Sequence, residues 1–275
     1  MPGIVGVHGV WNHLAGKTDE EAVRHHSRTW SGALAHSLGD AAAADIHVAY
    51  YASCLRVAYG HGAPDPDTLD AEEQEWLREW DAALSPRAEV GQGRMLKPVR
   101  QIISGMATRW HLDERLTGAF VTVFLKEIKV YFDGRDPAPR QAARDRVAGA
   151  LRRERPSVLI AHSLGSVVAY EALWQNPDLK VDLLLTLGSP LGLPPVIFQR
   201  LDPEPADGRG SRPPGVRRWV NIADPGDLIA VPRWLARSFD GIDEDLEAPI
   251  GVFQFHKVVP YLRCAQVADT LRPYL

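Results

Sequence analysis

Ser157-Val158-Leu159-Ile160-Ala161-His162-Ser163-Leu164-Gly165-Ser166-Val167-Val168-Ala169-Tyr170 is the stretch on which the fold of this chain turns. Val158 to Ala161 is short, apolar and without alternating polar residues, the pattern of a strand buried on both faces of a parallel sheet. A helical pattern starts almost at once behind it. The link between them is Ser163, flanked by small residues at Ala161 and Gly165 where a sharp strand-to-helix turn leaves no room for side chains. The spacing matches the G-x-S-x-G elbow with alanine in place of the first glycine. Such a turn presents the serine Oγ at the carboxyl end of the sheet and turns the next backbone N–H toward a developing oxyanion. Ser163 is the candidate nucleophile and Leu164 a candidate oxyanion donor. The plain alternative is a serine capping a helix after an ordinary strand.

Outward from this stretch, apolar runs alternate with helical patterns, as in a parallel α/β sheet. Ile4 to Val7 is a strand that runs into His8-Gly9-Val10-Trp11-Asn12-His13. A glycine after a strand lets backbone approach a substrate, so Val10 N–H is the second candidate oxyanion donor. Trp11, Asn12 and His13 follow it and are possible substrate contacts. Residues 26–38 read as an amphipathic helix stopped by Gly39, and Ile46 to Tyr50 as the next strand. Residues 140–154 are a helix with Ala143, Val147, Ala150 and Leu151 inward and its arginines on a solvated face. Val181 to Leu187 and Val216 to Ile222 are further strands. Leu201 to Gly215, rich in Pro, Gly, Asp and Arg, reads as a mobile loop, and Asp243, Glu244 and Asp245 as a solvated run.

The alternation breaks between about Gly60 and Pro139. The chain therefore divides into a core of residues 1–59 and 140–275 and an insertion of residues 60–139. Three helices are predicted in the insertion. One begins at a capping-box-like Asp70 and Glu73 and carries Trp76, Leu77, Trp80 and Leu84. One opens at Pro98 with Val99, Ile102, Ile103, Met106 and Trp110 in helical register. The third carries Leu116, Phe120, Val123, Phe124, Ile128 and Tyr131, widened by Val121, Leu125 and Phe132, with Thr122, Lys126 and Lys129 as a narrow polar face. An apolar surface that broad must be covered on more than one side. Two roles fit: a cap over the cleft, or helices packed on the sheet edge away from substrate.

A serine hydroxyl needs a histidine to take its proton, and the imidazole needs a carboxylate to fix its tautomer. Only His256 of the ten histidines follows Ser163. The carboxylate is sought just past the strand ending at Ile222, where Asp224 and Asp227 both qualify. Asp224-Pro225-Gly226-Asp227 is a strong turn signal that gives Asp224 backbone to bond, so Asp227 is preferred and Asp224 is the alternative acid.

Taken together, Val7-His8-Gly9-Val10, Ala161 to Ser166, Leu187-Gly188-Ser189-Pro190, Asn221 to Pro232 and His256 resemble the α/β-hydrolase superfamily, and within it small lipase-like serine esterases. The resemblance spans most of the core but not the insertion. It implies an α/β-hydrolase fold: a mostly parallel sheet of about six strands flanked by helices, here with a helical cap insertion. It also implies hydrolysis of an ester, thioester or amide through an acyl-enzyme on Ser163, His256 and Asp227, with no metal and no organic cofactor. An acyltransferase or cyclase using the same acyl-enzyme is the alternative, and a non-catalytic binding protein on the same fold a third.

Composition sets the outer limits. With 45% hydrophobic and 24% charged residues over 275 positions, a sizeable core is available. A net charge of -4 gives no electrostatic case for nucleic acid or anionic membrane. The expected partner is a small-molecule or acyl/peptidyl substrate, with no nucleic acid and no stable membrane insertion. Cys54 and Cys264 are in no metal-ligand spacing. Met1 leads straight into Gly3 to Val7 without a basic or long apolar leader, so the expected location is cytoplasmic.

Overall fold

The computed structural model describes residues 3–39, 45–57, 64–84, 97–251 and 256–275. Six strands form one sheet: β1 (Ile4–Val7), β2 (Ile46–Ala49), β3 (Val158–His162), β4 (Val181–Leu187), β6 (Val216–Ala223) and β8 (Glu244–Glu247), in the order β2-β1-β3-β4-β6-β8. All five pairings are parallel, and β3 enters the sheet with Val158 beside Leu183 and His162 beside Leu187. Two short strands, β5 (Gly210–Ser211) and β7 (Phe239–Asp240), pair separately. The fold is thus a parallel six-stranded sheet flanked by helices, the architecture that the resemblance implies.

Side chains alternate across the strands and feed two cores. Ile4, Val158, Ile160, Leu183, Leu185 and Val220 meet helices α1 (Asp19–Leu38), α7 (Val258–Arg263) and α8 (Ala265–Leu271). Val5, Val7, Leu159, Ala161, Leu184 and Trp219 join a cluster with α5 (Ala138–Glu154) and α6 (Leu164–Gln175). That cluster continues without a break into the inserted helices α2 (Ala71–Leu84), α3 (Val99–Arg109) and α4 (Glu114–Tyr131), so the insertion shares the core of the sheet. The indole of Trp80 adds a polar tie, donating to the Leu228 carbonyl at 2.9 Å.

Several elements differ from their sequence reading for local reasons. Helix α1 starts at Asp19 rather than at residue 26, because Thr18 and Glu21 form a reciprocal capping box. Helix α2 has the expected box at Asp70 and Glu73. On α4, Thr122 is buried with its hydroxyl on the Gly118 carbonyl, whereas Lys126 and Lys129 reach Glu73 and Asp70 and so tie α4 to the start of α2. The acidic run at 243–245 is solvated at Asp243 and Glu244, as expected, but it also opens edge strand β8: Asp243 accepts from Trp219 N and Asp245 from Asn221 Nδ2 and the Leu235 and Ala236 amides. Residues 201–215 are pinned where Gly210 N donates to Ser238 O and the Arg209 guanidinium reaches Asp240 and three carbonyls.

The arginines of α5 are not all on a solvated face. Arg140 and Arg144 close on Glu171 of α6 at 2.5 and 2.6 Å, and the Tyr131 hydroxyl donates to the same carboxylate at 2.5 Å. Glu171 is wholly buried, so its charge is stable only because two guanidiniums and a phenol surround it. The cluster locks α4, α5 and α6 together. Among the described residues, no helix is long and apolar enough to cross a membrane. Glu171→Gln leaves two cations facing a neutral amide and is expected to cost about 3–5 kcal/mol of stability, read as a lowered urea midpoint.

Candidate active site

The turn at Ser163 is held from three directions. Its backbone adopts φ 55° and ψ −134°, a conformation that is strained for any residue with a Cβ. Ser163 N donates to Leu187 O of the neighbouring strand, and the hydroxyl of Ser166 bonds back to Ser163 O at 2.6 Å. Two residues on, Gly165 lies so close to β1 that a Cβ there would stand 2.5 Å from Val7 O and 2.3 Å from His8 O. Only glycine fits that approach. Leu164 is the first residue of α6, so its N–H has no intrahelical acceptor.

Across the turn runs the loop after β1. A Cβ on Gly9 would sit 2.5 Å from the Cβ of Ser163, so Gly9 allows the loop to lie directly over the serine. The loop is bonded throughout. His8 Nδ1 meets Gly9 O at 2.8 Å, and His8 Nε2 meets Tyr51 N–H at 3.1 Å. A backbone amide can only donate, so Nε2 is the acceptor and the proton sits on Nδ1, donating to Gly9 O. The Tyr51 hydroxyl donates to His8 O, and the side-chain amide of Asn12 donates to Gly9 O and Val10 O. Burial drives the His8 imidazole down to about 3, more than its bond to Gly9 raises it, so the ring is neutral.

Asp227 and His256 meet beside β4. His256 Nδ1 lies 2.8 and 2.7 Å from the two Asp227 oxygens, and both side chains are almost fully shielded from solvent. Asp227 also accepts from Ile229 N and from the Tyr261 hydroxyl at 2.8 Å. Burial alone would raise the Asp227 carboxyl, but the His256 charge and these bonds outweigh it and hold the group below its ordinary value. Gly188, at φ 52°, makes room for the pair: a Cβ there would stand 2.6 Å from Asp227 Oδ2. Asp224 is turned to another task. Its two oxygens take the Gly226 and Ile250 amides, the first of them as the turn signal suggests.

Ser163 and His256 line one cleft of about 660 Å³. Its floor is His8, Gly9, Val10 and His162, and the α3–α4 turn with the first half of α4 forms a wall of His111, Leu112, Leu116, Thr117 and Phe120. Trp11 and Leu116 remain exposed at 49% and 65%, which gives the cleft an apolar rim. Asn12 lines the cleft as well. His13 does not; it faces the Tyr50 hydroxyl at 3.3 Å. Among the described residues, Ser163 Oγ is buried and takes part in no hydrogen bond.

Four contributors carry no signal that the sequence pattern had singled out for the site. Tyr261 supports Asp227. The His162 ring lies 4.8 Å from that of His256 at a 30° tilt, and it is held well below the ordinary histidine value by burial first and by its proximity to His256 second. Phe120 sets its ring edge-on to His256 at 5.3 Å. Glu127 accepts the Trp11 amide at 3.0 Å from inside α4. A usable clue existed only for Glu127: a charge three residues past Phe124 and seven past Phe120, on the face that must be buried.

No protein-family model matches this chain, and no curated protein matches it. A solved structure similar to it is the crystal structure of the esterase domain from a Rhodothermus marinus protein, at 14% identity over 53% of this chain and 77% of that one, with a TM-score of 0.31. A likeness that slight carries no argument about activity.

Two expectations follow from the geometry. Ser163→Gly removes a Cβ from a conformation that suits only glycine, so it is expected to raise the thermal midpoint by the equivalent of about 1–2 kcal/mol. A midpoint at or below that of the parent would contradict strain at this turn. The second concerns acid. The His8 value is depressed in the folded chain, so the unfolded chain binds the extra proton between pH 6.5 and 3, and the stability His8 contributes is whole above pH 6.5 and lost as the pH falls through that window. His8→Gln should therefore lose less stability than the parent between pH 7.5 and 5, measured by urea midpoints at each pH.

Proposed function

We propose that this chain is a serine hydrolase that cleaves an ester, thioester or amide through an acyl-enzyme on Ser163. The observation that carries the reading is the buried Asp227–His256 pair opening into the same cleft as a strained, strand-end serine. Asp227 fixes the proton of His256 on Nδ1, which leaves Nε2 as the base. Among the described residues no hydrogen bond competes for Ser163 Oγ, and the serine and His256 line the same cleft, where a serine–histidine bond is one that often forms or tightens only on substrate binding.

In this reading His256 Nε2 takes the Ser163 proton as Oγ attacks the substrate carbonyl carbon. The carbonyl oxygen becomes an oxyanion held by the Val10 and Leu164 amides. The imidazolium then gives its proton to the leaving alcohol, thiol or amine, and the acyl group stays on Oγ. Water, deprotonated by the same histidine, releases the acid and restores the serine. Neutral His8 and His162 matter here, because a second imidazolium beside His256 would oppose its protonation.

The same acyl-enzyme resolved by an amine or alcohol, an acyltransferase reading, draws on the apolar wall of Leu112, Leu116 and Phe120. Product analysis with competing nucleophiles separates the two. The central test is labelling by a fluorophosphonate: the expected adduct forms on Ser163 and disappears in Ser163→Ala. Asp227→Asn is expected to slow turnover by several powers of ten while leaving the fold intact. Folded protein that gains no adduct mass would count against a nucleophilic serine.

A further inference from the structure

Glu127 lies within α4, is 7% exposed and forms no ion pair among the described residues. Desolvation pushes its carboxyl up to about 8, against a smaller opposite effect of the Trp11 amide it accepts. A glutamate is rarely placed in an apolar helix face without a cation, because its burial is costly unless its bonds repay it. Its bond here is to backbone: Trp11 N–H donates to Oε1 at 3.0 Å, across 116 residues of chain.

What that bond fixes follows from peptide planarity. The Val10–Trp11 peptide is a rigid plane with a carbonyl on one edge and an amide on the other. Asn12 Nδ2 holds the Val10 carbonyl at 2.7 Å and Glu127 holds the Trp11 amide, so the plane is clamped from both sides. The clamp also retains Trp11 at φ 60°, which a tryptophan does not adopt unaided. The preceding peptide, Gly9–Val10, has its carbonyl bonded to His8 and Asn12. With one edge of that plane tied and the next plane clamped, the Val10 N–H is left as the amide whose direction the loop determines.

We propose that Glu127 is a positioning residue for the oxyanion site: its side-chain oxygen, supplied by the insertion, holds the Val10–Trp11 peptide so that Val10 N–H is aimed at the substrate carbonyl oxygen. The proposal rests on the reading of Ser163 as nucleophile and Val10 as oxyanion donor. It assigns the inserted helices a part in the chemistry besides the cleft wall. What the position requires is an acceptor at the right reach, not a negative charge.

Two near-neighbours of glutamate separate acceptor reach from charge. Glu127→Gln keeps a carbonyl oxygen at the same length and removes ionisation. Glu127→Asp keeps the carboxyl but draws the oxygen back by about 1.5 Å. With a chromogenic ester in steady state, E127Q is expected to hold kcat within about threefold of the parent. E127D is expected to lose kcat about tenfold or more with KM within about twofold, since an oxyanion donor acts on the transition state and not on ground-state binding. Glu127→Met, of similar length but with no oxygen acceptor, repeats the E127D arm and should show the same split. Hydrogen exchange at the Trp11 amide gives a readout independent of turnover: slow in parent and E127Q, fast in E127D and E127M, with similar thermal midpoints throughout. Parent-like kcat in E127D, or E127Q as impaired as E127D, overturns the proposal. Failure of the parent to label with fluorophosphonate instead removes the nucleophile reading on which it rests, and the amide exchange then reports only whether Glu127 holds the loop.

Discussion

The site depends on how closely two backbones approach each other. The turn at Ser163 rests against the end of β1 at Gly165, and the loop after β1 passes over Ser163 at Gly9, each at a distance that admits no Cβ. These contacts lay the end of β1 and the loop that follows it directly against the serine turn. They also explain the expense around them. A serine in a glycine conformation persists only where surrounding structure over-determines it, and here β4, Ser166 and β1 all do so.

Rigidity on this side of the cleft is built from neutral, fully bonded groups. His8 uses both ring nitrogens on backbone, Tyr51 uses both its amide and its hydroxyl on His8, and Asn12 divides one amide between two carbonyls. On the other side Asp227 is stabilised by His256, Tyr261 and a backbone amide. A buried network whose members are all satisfied holds a single geometry, whereas a partly satisfied one would be costly and loose. Glu171 with its two arginines anchors α6, so the helix that follows the elbow has little freedom to shift.

The insertion is a structural continuation of the sheet's own core as much as an addition to it. Trp80, Ile103 and Phe124 belong to the same apolar cluster as Leu159 and Trp219. From that footing it reaches the cleft at several points: Leu116 and Thr117 on the wall, Phe120 against the His256 ring, and Glu127 beneath the loop after β1. The breadth of the apolar stripe on α4 had required cover on more than one side, and the sheet helices and α2–α3 supply it.

The order of strands and helices along the core, the sharp turn at Ser163, the inserted helices and the turn bonding of Asp224 could be read from local pattern. Period, turn chemistry and small residues act over a few positions and leave their mark there. Edge strand β8 escaped because its acids look like a solvated run, and only Trp219, Asn221 and the 235–236 amides show why acids belong in it. The arginines of α5 misled in the same manner, since helical periodicity does not reveal a buried carboxylate on another helix. Tyr261 and His162 were likewise matters of tertiary structure, Tyr261 through a partner 34 residues away and His162 through the His256 ring 4.8 Å from its own; Glu127 showed as a charge on a buried face, but its partner 116 residues away did not. The sequence by itself determined which backbone turns form and which residues face inward. The fold alone decided which of those buried polar groups meet, because such a pairing depends on distance in space and leaves no periodic trace along the chain.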